Sequence, residues 1–160
     1  MTKKQIHQAF IDQLRRELET LSAAAKNSFD VATHEEHQAK SKYDTFSLES
    51  SYLARGQAMR VEELREALLR LDALSLPVFG ASTPIDHGAL VRLGADDGTT
   101  QTVFVAPVAG GEEMVVDGEE IIIISPGSPL GRAVMSKTEG ARFDMKVERG
   151  SHTFTVLSVA

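Results

Sequence analysis

The sequence predicts an α+β protein in which an N-terminal antiparallel two-helix coiled coil precedes a small β-sheet domain with one short helix. Three observations support this prediction. Residues 4–40 contain neither Gly nor Pro and repeat apolar side chains every three or four positions. A second pattern of this kind begins at Leu48, ends at Leu76 and is followed by Pro77. After Pro77, Pro, Gly, Asp and Thr become frequent, and short β-branched runs replace the helical period.

The apolar positions of the first pattern share one helix face. They are Ile6, Phe10, Leu14, Leu18, Leu21, Ala25, Phe29 and Ala32. A pattern of this length favours a coiled coil over an ordinary globular helix. At about 1.5 Å per residue it predicts a rod of roughly 50 Å. The apolar face fades after Ala32, and the four residues His34 to His37 are interpreted as a solvated helix face because they lack HExxH spacing.

The second pattern places its apolar residues three or four positions apart, at Val61, Leu64, Leu68 and Leu71. Its outer face is predicted to carry five charged residues: Glu62, Glu63, Arg65, Glu66 and Arg70. Gly56 is either a weak point of this helix, costing about 1 kcal/mol against Ala, or a place of close helix approach. Pro77 is predicted to end the helix, because the residue before a proline is pushed toward extended geometry.

The remainder of the chain is predicted to form five strands separated by Gly-containing turns. The strands are residues 89–94, 102–108, 120–125, 141–147 and 152–159. A short helix is predicted over residues 128–137, because Ser128 and Pro129 form an N-cap and first-turn signal. Ser128 is interpreted as a helix cap rather than a nucleophile, since no base partner is evident.

The helical period before Pro77 and the strand and turn pattern after it divide the chain into a helical finger at residues 1–76 and a sheet domain at residues 77–160. The stretch between the helical patterns forms the predicted tip, near residues 43–52. Its Asp44 could N-cap the second helix, a role that Ser47 could also fill. Glu49 is interpreted as a first-turn acid that the helix dipole favours in any case.

Composition narrows the classes of function. The chain has 160 residues, a formal net charge of -6 and no cysteine, which excludes disulfides and thiolate metal sites. Residues 1–76 carry 11 Lys/Arg against 12 Asp/Glu, and residues 77–160 carry 6 against 11. Neither half provides the clustered cations that tight duplex binding requires, so strong direct nucleic-acid binding is not expected. No signal peptide or membrane span is evident, which predicts a soluble cytoplasmic protein.

The segment from Ile124 to Phe143 resembles the C-terminal signature of the Gre family (GreA/GreB-like) of bacterial transcription elongation factors. The signature is a Ser-Pro-apolar-Gly-x-Ala run followed by a Lys and a Gly. Its members here are Ser128, Pro129, Leu130, Gly131, Ala133, Lys137 and Gly140. The final strand and the two-helix N-terminal half resemble the family as well, so the resemblance covers essentially the whole chain.

The resemblance implies an FKBP-like fold for the sheet domain, which docks beside the secondary channel of core RNA polymerase. It implies a finger that enters the channel and stimulates cleavage of backtracked transcripts. Asp44 and Glu49 are the tip acids, which help to hold a Mg²⁺ ion shared with the polymerase. The expected partner-binding residues are Tyr43, Phe46, Ser128, Pro129, Leu130 and Gly131. The chain is expected to be an accessory factor without catalytic residues, and to bind no cofactor alone.

Alternatives remain at the tip. Glu49 follows Asp44 by five residues, whereas the family's second acid follows by three, and the family's Asn is missing. A homologue that inhibits polymerase by occupying the channel is therefore an alternative to cleavage stimulation. Tyr43 and Phe46 could also brace the loop. A peptidyl-prolyl isomerase of FKBP type is a further alternative, although residues 77–160 offer only four aromatic side chains, namely Phe79, Phe104, Phe143 and Phe154.

Overall fold

A computed structural model of the chain describes residues 1–38 and 45–160. Two long helices come first, α1 (Lys3–Gln38) and α2 (Thr45–Asp72). A mixed sheet and one short helix follow. In chain order these elements are β1 (Leu90–Ala95), β2 (Thr100–Val105), β3 (Glu113–Val116), β4 (Glu119–Ile124), α3 (Pro129–Val134), β5 (Arg142–Val147) and β6 (Gly150–Val159). The predicted α+β class is confirmed.

By packing, the chain forms two compact units. One unit combines Met1–Phe10 with Arg70–Ala160, and the other is Ile11–Leu69. The first turns of α1 therefore belong with the sheet, whereas the sequence places a boundary near Pro77. That boundary follows composition and stays a prediction. Among the described residues, no helix is both long and apolar enough to cross a membrane.

Within Ile11–Leu69, the two helices of the helical finger pair in antiparallel fashion. Glu17 of α1 accepts a hydrogen bond from Arg60 of α2 at 3.1 Å, and His7, earlier in α1, contacts Leu71, later in α2. Val61, Leu64 and Leu68 are buried, as the apolar period predicts. The acidic and basic residues predicted for the outer face of α2 are all exposed. Arg65 pairs there with Glu62.

Both ends of α2 differ from the predicted ones. The helix begins at Thr45 rather than Leu48, so Ser47 lies inside it and is not its N-cap. The helix ends at Asp72, before Pro77 can act on it. The N–H of Leu74 folds back to the Leu71 carbonyl at 3.0 Å, and the Nε2 of His7 donates to the same oxygen at 2.8 Å. A side chain from α1 therefore helps to satisfy the carbonyls at this helix end.

The sheet has six strands in the order β3-β4-β2-β1-β6-β5. Only β2 and β4 run parallel, and all other neighbours are antiparallel. One face packs against α3 through a core that includes Val91, Val103, Val134 and Val156. On the other face the rings of His7 and Phe10 lie 6.0 and 6.3 Å from the ring of Phe104. Both faces of the central strand β2 are therefore covered.

All five predicted strands form, and one strand was missed. Strand β3 has only four residues, pairs with β4 alone and ends at the Asp117–Gly118 turn. A four-residue strand at a sheet edge carries too short an alternation to stand out from a loop. Helix α3 is shorter than predicted, because Met135 leaves helical geometry and Ser136 has a φ of 64°.

Candidate functional site

Of the functional residues predicted for the tip, Glu49 is the one whose side chain the structure describes. Tyr43 and Asp44 lie outside the described residues. Phe46 lies in the first turn of α2, but its side chain is not among those described. Glu49 is the fifth residue of α2, and its side chain is exposed. The first turn contains no acidic residue, so Glu49 is not the first-turn acid that the sequence suggested.

This shift of the helix start changes the meaning of Glu49. The helix dipole acts chiefly on charges in the first turn, where backbone N–H groups are unpaired. In the second turn that stabilisation is weaker, and helix stability gives a poorer explanation for an acid at this position. Its side chain is exposed to solvent.

Large apolar side chains surround Glu49 on the surface of α2. Leu48, Tyr52 and Leu53 expose 55%, 64% and 57% of their area, and Met59 exposes 59% two turns further along. Isolated exposed apolar residues are common, but three within six positions make this end of α2 suited to contact with another surface. Glu49 is therefore an acid set among apolar groups.

The segment from Ser125 to Gly131 forms a tight turn into α3. The Ser128 Oγ accepts from the Gly131 N–H at 3.0 Å and donates to the Ser125 carbonyl at 2.8 Å. The predicted cap is confirmed, and the hydroxyl is committed to it rather than to nucleophilic chemistry. Gly131 is buried, whereas Pro129 is exposed and Leu130 half-buried. Ser128 and Gly131 thus shape the turn, whereas Pro129 faces solvent and Leu130 packs in part against the core.

Residues 82–160 match the family model described as "Transcription elongation factor, GreA/GreB, C-term". The match includes the Ser128–Gly131 turn and every strand of the sheet. Through this C-terminal half, the chain belongs to the GreA/GreB family. The recognition made from the signature is confirmed, and the chain is a member of a transcription elongation factor family.

Several solved structures are similar to this GreA/GreB-family chain. The crystal structure of GreA factor homolog 1 (Gfh1) of Thermus thermophilus has 22% identity and a TM-score of 0.39, with 94% of each chain covered. Gfh1 of Thermus aquaticus has 19% identity and a TM-score of 0.40, with 92% of each covered. GreA/GreB from Nitrosomonas europaea has 16% identity and a TM-score of 0.39, covering 62% of this chain and 78% of that one. No curated protein matches the chain. At these scores the likenesses carry no argument about function.

The aromatic residues of the sheet domain are engaged in packing. The ring of Phe104 packs beside His7 and Phe10, and Phe143 stacks on Phe154 at 5.6 Å between centroids. Phe79 is buried beneath the Lys3 ammonium, 4.7 Å from its ring centroid. Phe79 belongs to the core beneath α3, and Phe143 and Phe154 pack against that core, whereas Phe104 lies on the other face of β2. This arrangement argues against the isomerase alternative, which needs an aromatic-lined site.

The grooves of the sheet domain are polar instead. A cavity of about 420 Å³ is lined by Arg92, Thr100, Gln101, Thr102, Asp117, Gly118, Glu119 and Glu120. Within it the Thr102 hydroxyl donates to Glu119, and the terminal amine of Met1 lies 3.5 Å from Asp117. Among residues 1–38 and 45–160, no group of three or more His or acidic side chains is arranged to hold a metal ion.

Three carboxyl groups of the sheet domain have lowered pKa values because of local hydrogen bonds, namely those of Asp86, Asp96 and Asp97. The His152 side chain, 2.7 Å from Asp96, is the main cause of the lowered pKa of Asp96, with a further contribution from the Thr153 N–H. The Thr99 hydroxyl lowers the pKa of Asp97 in the same way. Burial lowers the pKa of Lys3, whose ammonium donates to the Pro77 carbonyl. Each of these pKa shifts is explained by burial or by a hydrogen bond to a neighbouring group.

Two structural roles were missed from the sequence. His7 binds the end of α2, and the signal for it was a position adjacent to the apolar face of α1. Gln57 lies four residues before Val61, on the packed face of α2, and its Oε1 is buried without a hydrogen-bond partner. Stepping the apolar period back from Val61 would have found Gln57 as a polar residue at a core position.

Proposed function

We propose that the chain is an accessory factor that binds RNA polymerase at the secondary channel and stimulates cleavage of backtracked transcripts. The observation that carries the proposal is the match of residues 82–160 to the GreA/GreB family model. Within the proposal, the sheet domain docks on the polymerase and the helical finger enters the channel. The chain itself catalyses no reaction. A factor of this kind works in the cytoplasm, where bacterial RNA polymerase acts.

The tip residues would supply oxygen ligands to a metal ion that the polymerase holds in part. Mg²⁺ prefers carboxylate oxygens and keeps several waters, so one or two added carboxylates are enough. The exposed Glu49 fits this requirement, since its carboxylate is accessible. Asp44 is the second proposed ligand. When bound, a second Mg²⁺ lowers the pKa of a water and stabilises an in-line displacement at phosphorus.

The apolar groups near Glu49 would position the acid. Leu48, Tyr52 and Leu53 can lose their exposed area against a protein wall, which gains roughly 25 cal/mol per Å² of apolar surface. Such contacts fix the rotation of α2 about its axis, and the direction of the Glu49 carboxylate follows from that rotation. Tyr43 and Phe46 are proposed to contribute to the same contact.

The turn into α3 would provide a contact for docking. Pro129 and the exposed part of Leu130 present apolar surface, and the hydrogen bond between Ser128 and Gly131 holds that surface in place. In this proposal, Ser128 and Gly131 fix the shape of the turn, and the apolar surface of the turn contacts the polymerase.

The inhibitory alternative uses the same docking and differs only at the tip. It is favoured by the spacing of Asp44 and Glu49, which exceeds the family's spacing by two residues. With that spacing the two carboxylates need not converge on one ion, and the finger would then occupy the channel without supplying ligands.

One experiment tests the proposal and separates the two outcomes. Purified elongation complexes are stalled and backtracked, and the shortened RNA is followed with and without the chain. Faster cleavage supports the proposal. Slower elongation without faster cleavage supports inhibition. Failure of the chain to bind core polymerase at micromolar concentration would overturn both.

A further inference from the structure

We infer that the outer part of the helical finger opens as a unit separate from the inner part, and that Gln57 marks the boundary. The outer part comprises residues 48–57 of α2 and the turns of α1 opposite them, and the inner part contains residues 61–68 of α2. The separate opening of the outer part is a property of the free chain. It does not depend on the proposed function.

The packed face of α2 changes character at Gln57. Toward the C-terminus it presents Val61, Leu64 and Leu68, all at most 8% exposed. Continuing the same period toward the N-terminus gives Gln57 and then Ala54. Ala54 is buried but contributes only one methyl group. Among the described side chains of α2, large buried apolar groups therefore hold the inner part, and none is present in the outer part.

Gln57 weakens the layer of the coiled coil in which its own side chain packs. Its Oε1 is buried and accepts no hydrogen bond, so folding removes the oxygen from water without replacing the bond it made there. Opening the helix pair at this level returns that oxygen to solvent. A buried unpaired acceptor thus makes local opening easier than it would be with an apolar residue.

Two further features weaken the same level. Gly56 is next to Gln57, and no atom lies within 4 Å of where its Cβ would be, so it costs helix propensity without allowing close packing. This corrects the alternative that Gly56 permits close helix approach. On α1, one turn beyond the Glu17–Arg60 ion pair, the Thr20 hydroxyl bonds the Arg16 carbonyl at 3.0 Å. Such back-bonding slightly destabilises helices.

Large apolar side chains of the outer part do not compensate. Leu48, Tyr52 and Leu53 are all more than half exposed, so they contribute little to pairing with α1. On α1 the predicted core residues also become less buried outward. Leu14 is fully buried, whereas Leu18, Leu21 and Ala25 are only partly buried. Few buried apolar contacts and an unpaired buried acceptor are the physical conditions for a separately opening segment.

Hydrogen exchange of the full-length chain tests the inference. We expect amides of residues 48–57 to exchange at least about tenfold faster than those of residues 61–68, because the outer part opens without the inner part. The variants Gln57→Leu and Gln57→Met remove the buried acceptor and replace it by an apolar side chain of similar size. Both should slow exchange of residues 48–57 by about tenfold while leaving residues 61–68 nearly unchanged.

The matched control is Ala58→Leu, which adds an apolar side chain at an exposed neighbouring position of α2. It should leave exchange in both segments nearly unchanged. Equal protection of residues 48–57 and 61–68 in the parent chain would overturn the inference. It would also be overturned if both Gln57 variants, folded by circular dichroism, exchanged like the parent. Neither measurement involves polymerase, so the result is independent of the proposed function.

Discussion

A Cβ atom on residue 131 would lie 1.9 Å from the carbonyl oxygen of Ser125, so Gly131 and the Ser125 peptide pack with no space for a side chain. Gly131→Ala must therefore push α3 away from the turn. We expect the substitution to lower the free energy of unfolding by at least about 1–3 kcal/mol, the usual cost of overpacking a buried site. Urea unfolding followed by circular dichroism measures the loss.

Gly127→Ala is the matched control for Gly131→Ala. Gly127 lies in the same turn, but no atom is within 4 Å of the position of an added Cβ. Its unfolding free energy should stay within about 0.5 kcal/mol of the parent value. If both variants unfolded like the parent, the close approach of Ser125 to Gly131 would not affect the free energy of unfolding.

The sheet domain was largely predictable because its signals are local. Alternating β-branched runs and Gly turns located five strands, and Ser128 with Pro129 located the cap of α3. Strand β3 was not predictable, because four residues at an edge carry little pattern. The true start of α2 was missed for a related reason: Thr45, Phe46 and Ser47 have weak helix propensities, and cooperative extension of the helix overrides them.

The site was less predictable than the fold. Glu49 could be identified as a candidate, but its distance from the helix start depends on where α2 begins, and sequence does not fix that residue. The partner of His7 could not be predicted either, since it is a backbone carbonyl 64 positions away. Contacts of this kind follow from tertiary packing and leave no trace in composition or period.

Gly56→Ala is expected to stabilise the helical finger. Gly56 is exposed within α2 and an added Cβ meets no atom within 4 Å, so Ala gains helix propensity without a clash. The gain should be about 0.5–1 kcal/mol, because Gly loses more conformational freedom than Ala on folding. Thermal and urea unfolding of the full chain measure it.

Gly140→Ala is the contrasting control for Gly56→Ala. Its surroundings are equally open, but its φ is +83°, a conformation that costs a residue with a Cβ about 1–2 kcal/mol. We expect this variant to be less stable than the parent. Stabilisation at both positions would show that open space, rather than backbone conformation, decides the sign.

The Asp96–His152 pair predicts a change of titration that a variant can reveal. The pKa of Asp96 is lowered below its ordinary 3.8, mainly by the His152 side chain. A lowered carboxyl pKa means that Asp96 stabilises the fold above its unfolded pKa, and that this contribution is lost as pH falls through the folded pKa. His152→Ala should raise the pKa of Asp96 toward 3.8 and weaken this acid dependence, as carboxyl NMR titration would measure.

Asp97 provides the comparison for this titration. Its lowered pKa comes first from the Thr99 hydroxyl, 2.6 Å away, and only weakly from His152. His152→Ala should therefore leave Asp97 largely unchanged, and Thr99→Val should raise the pKa of Asp97 instead. Equal responses of both carboxyls to His152→Ala would contradict the assignment of causes.

The last prediction concerns the two proposed tip acids. Asp44→Asn and Glu49→Gln keep the size of each side chain and remove only its charge. If the carboxylates are Mg²⁺ ligands, each variant should bind polymerase normally and melt normally. Each should lose cleavage stimulation by on the order of tenfold or more, since even outer-shell partners of a metal ion contribute that much.

Glu66→Gln is the control, because Glu66 is an exposed acid of α2 well away from the tip. It should retain full stimulation. For Asp44 a second comparison separates metal binding from helix capping. Asn caps a helix as well as Asp does, whereas Asp44→Ala would lower stability by roughly 1 kcal/mol if capping were its role. An Asp44→Asn chain that cleaves like a cleavage-competent parent would therefore exclude a metal role for Asp44. If the parent inhibits instead, loss of inhibition is the readout for the same variants.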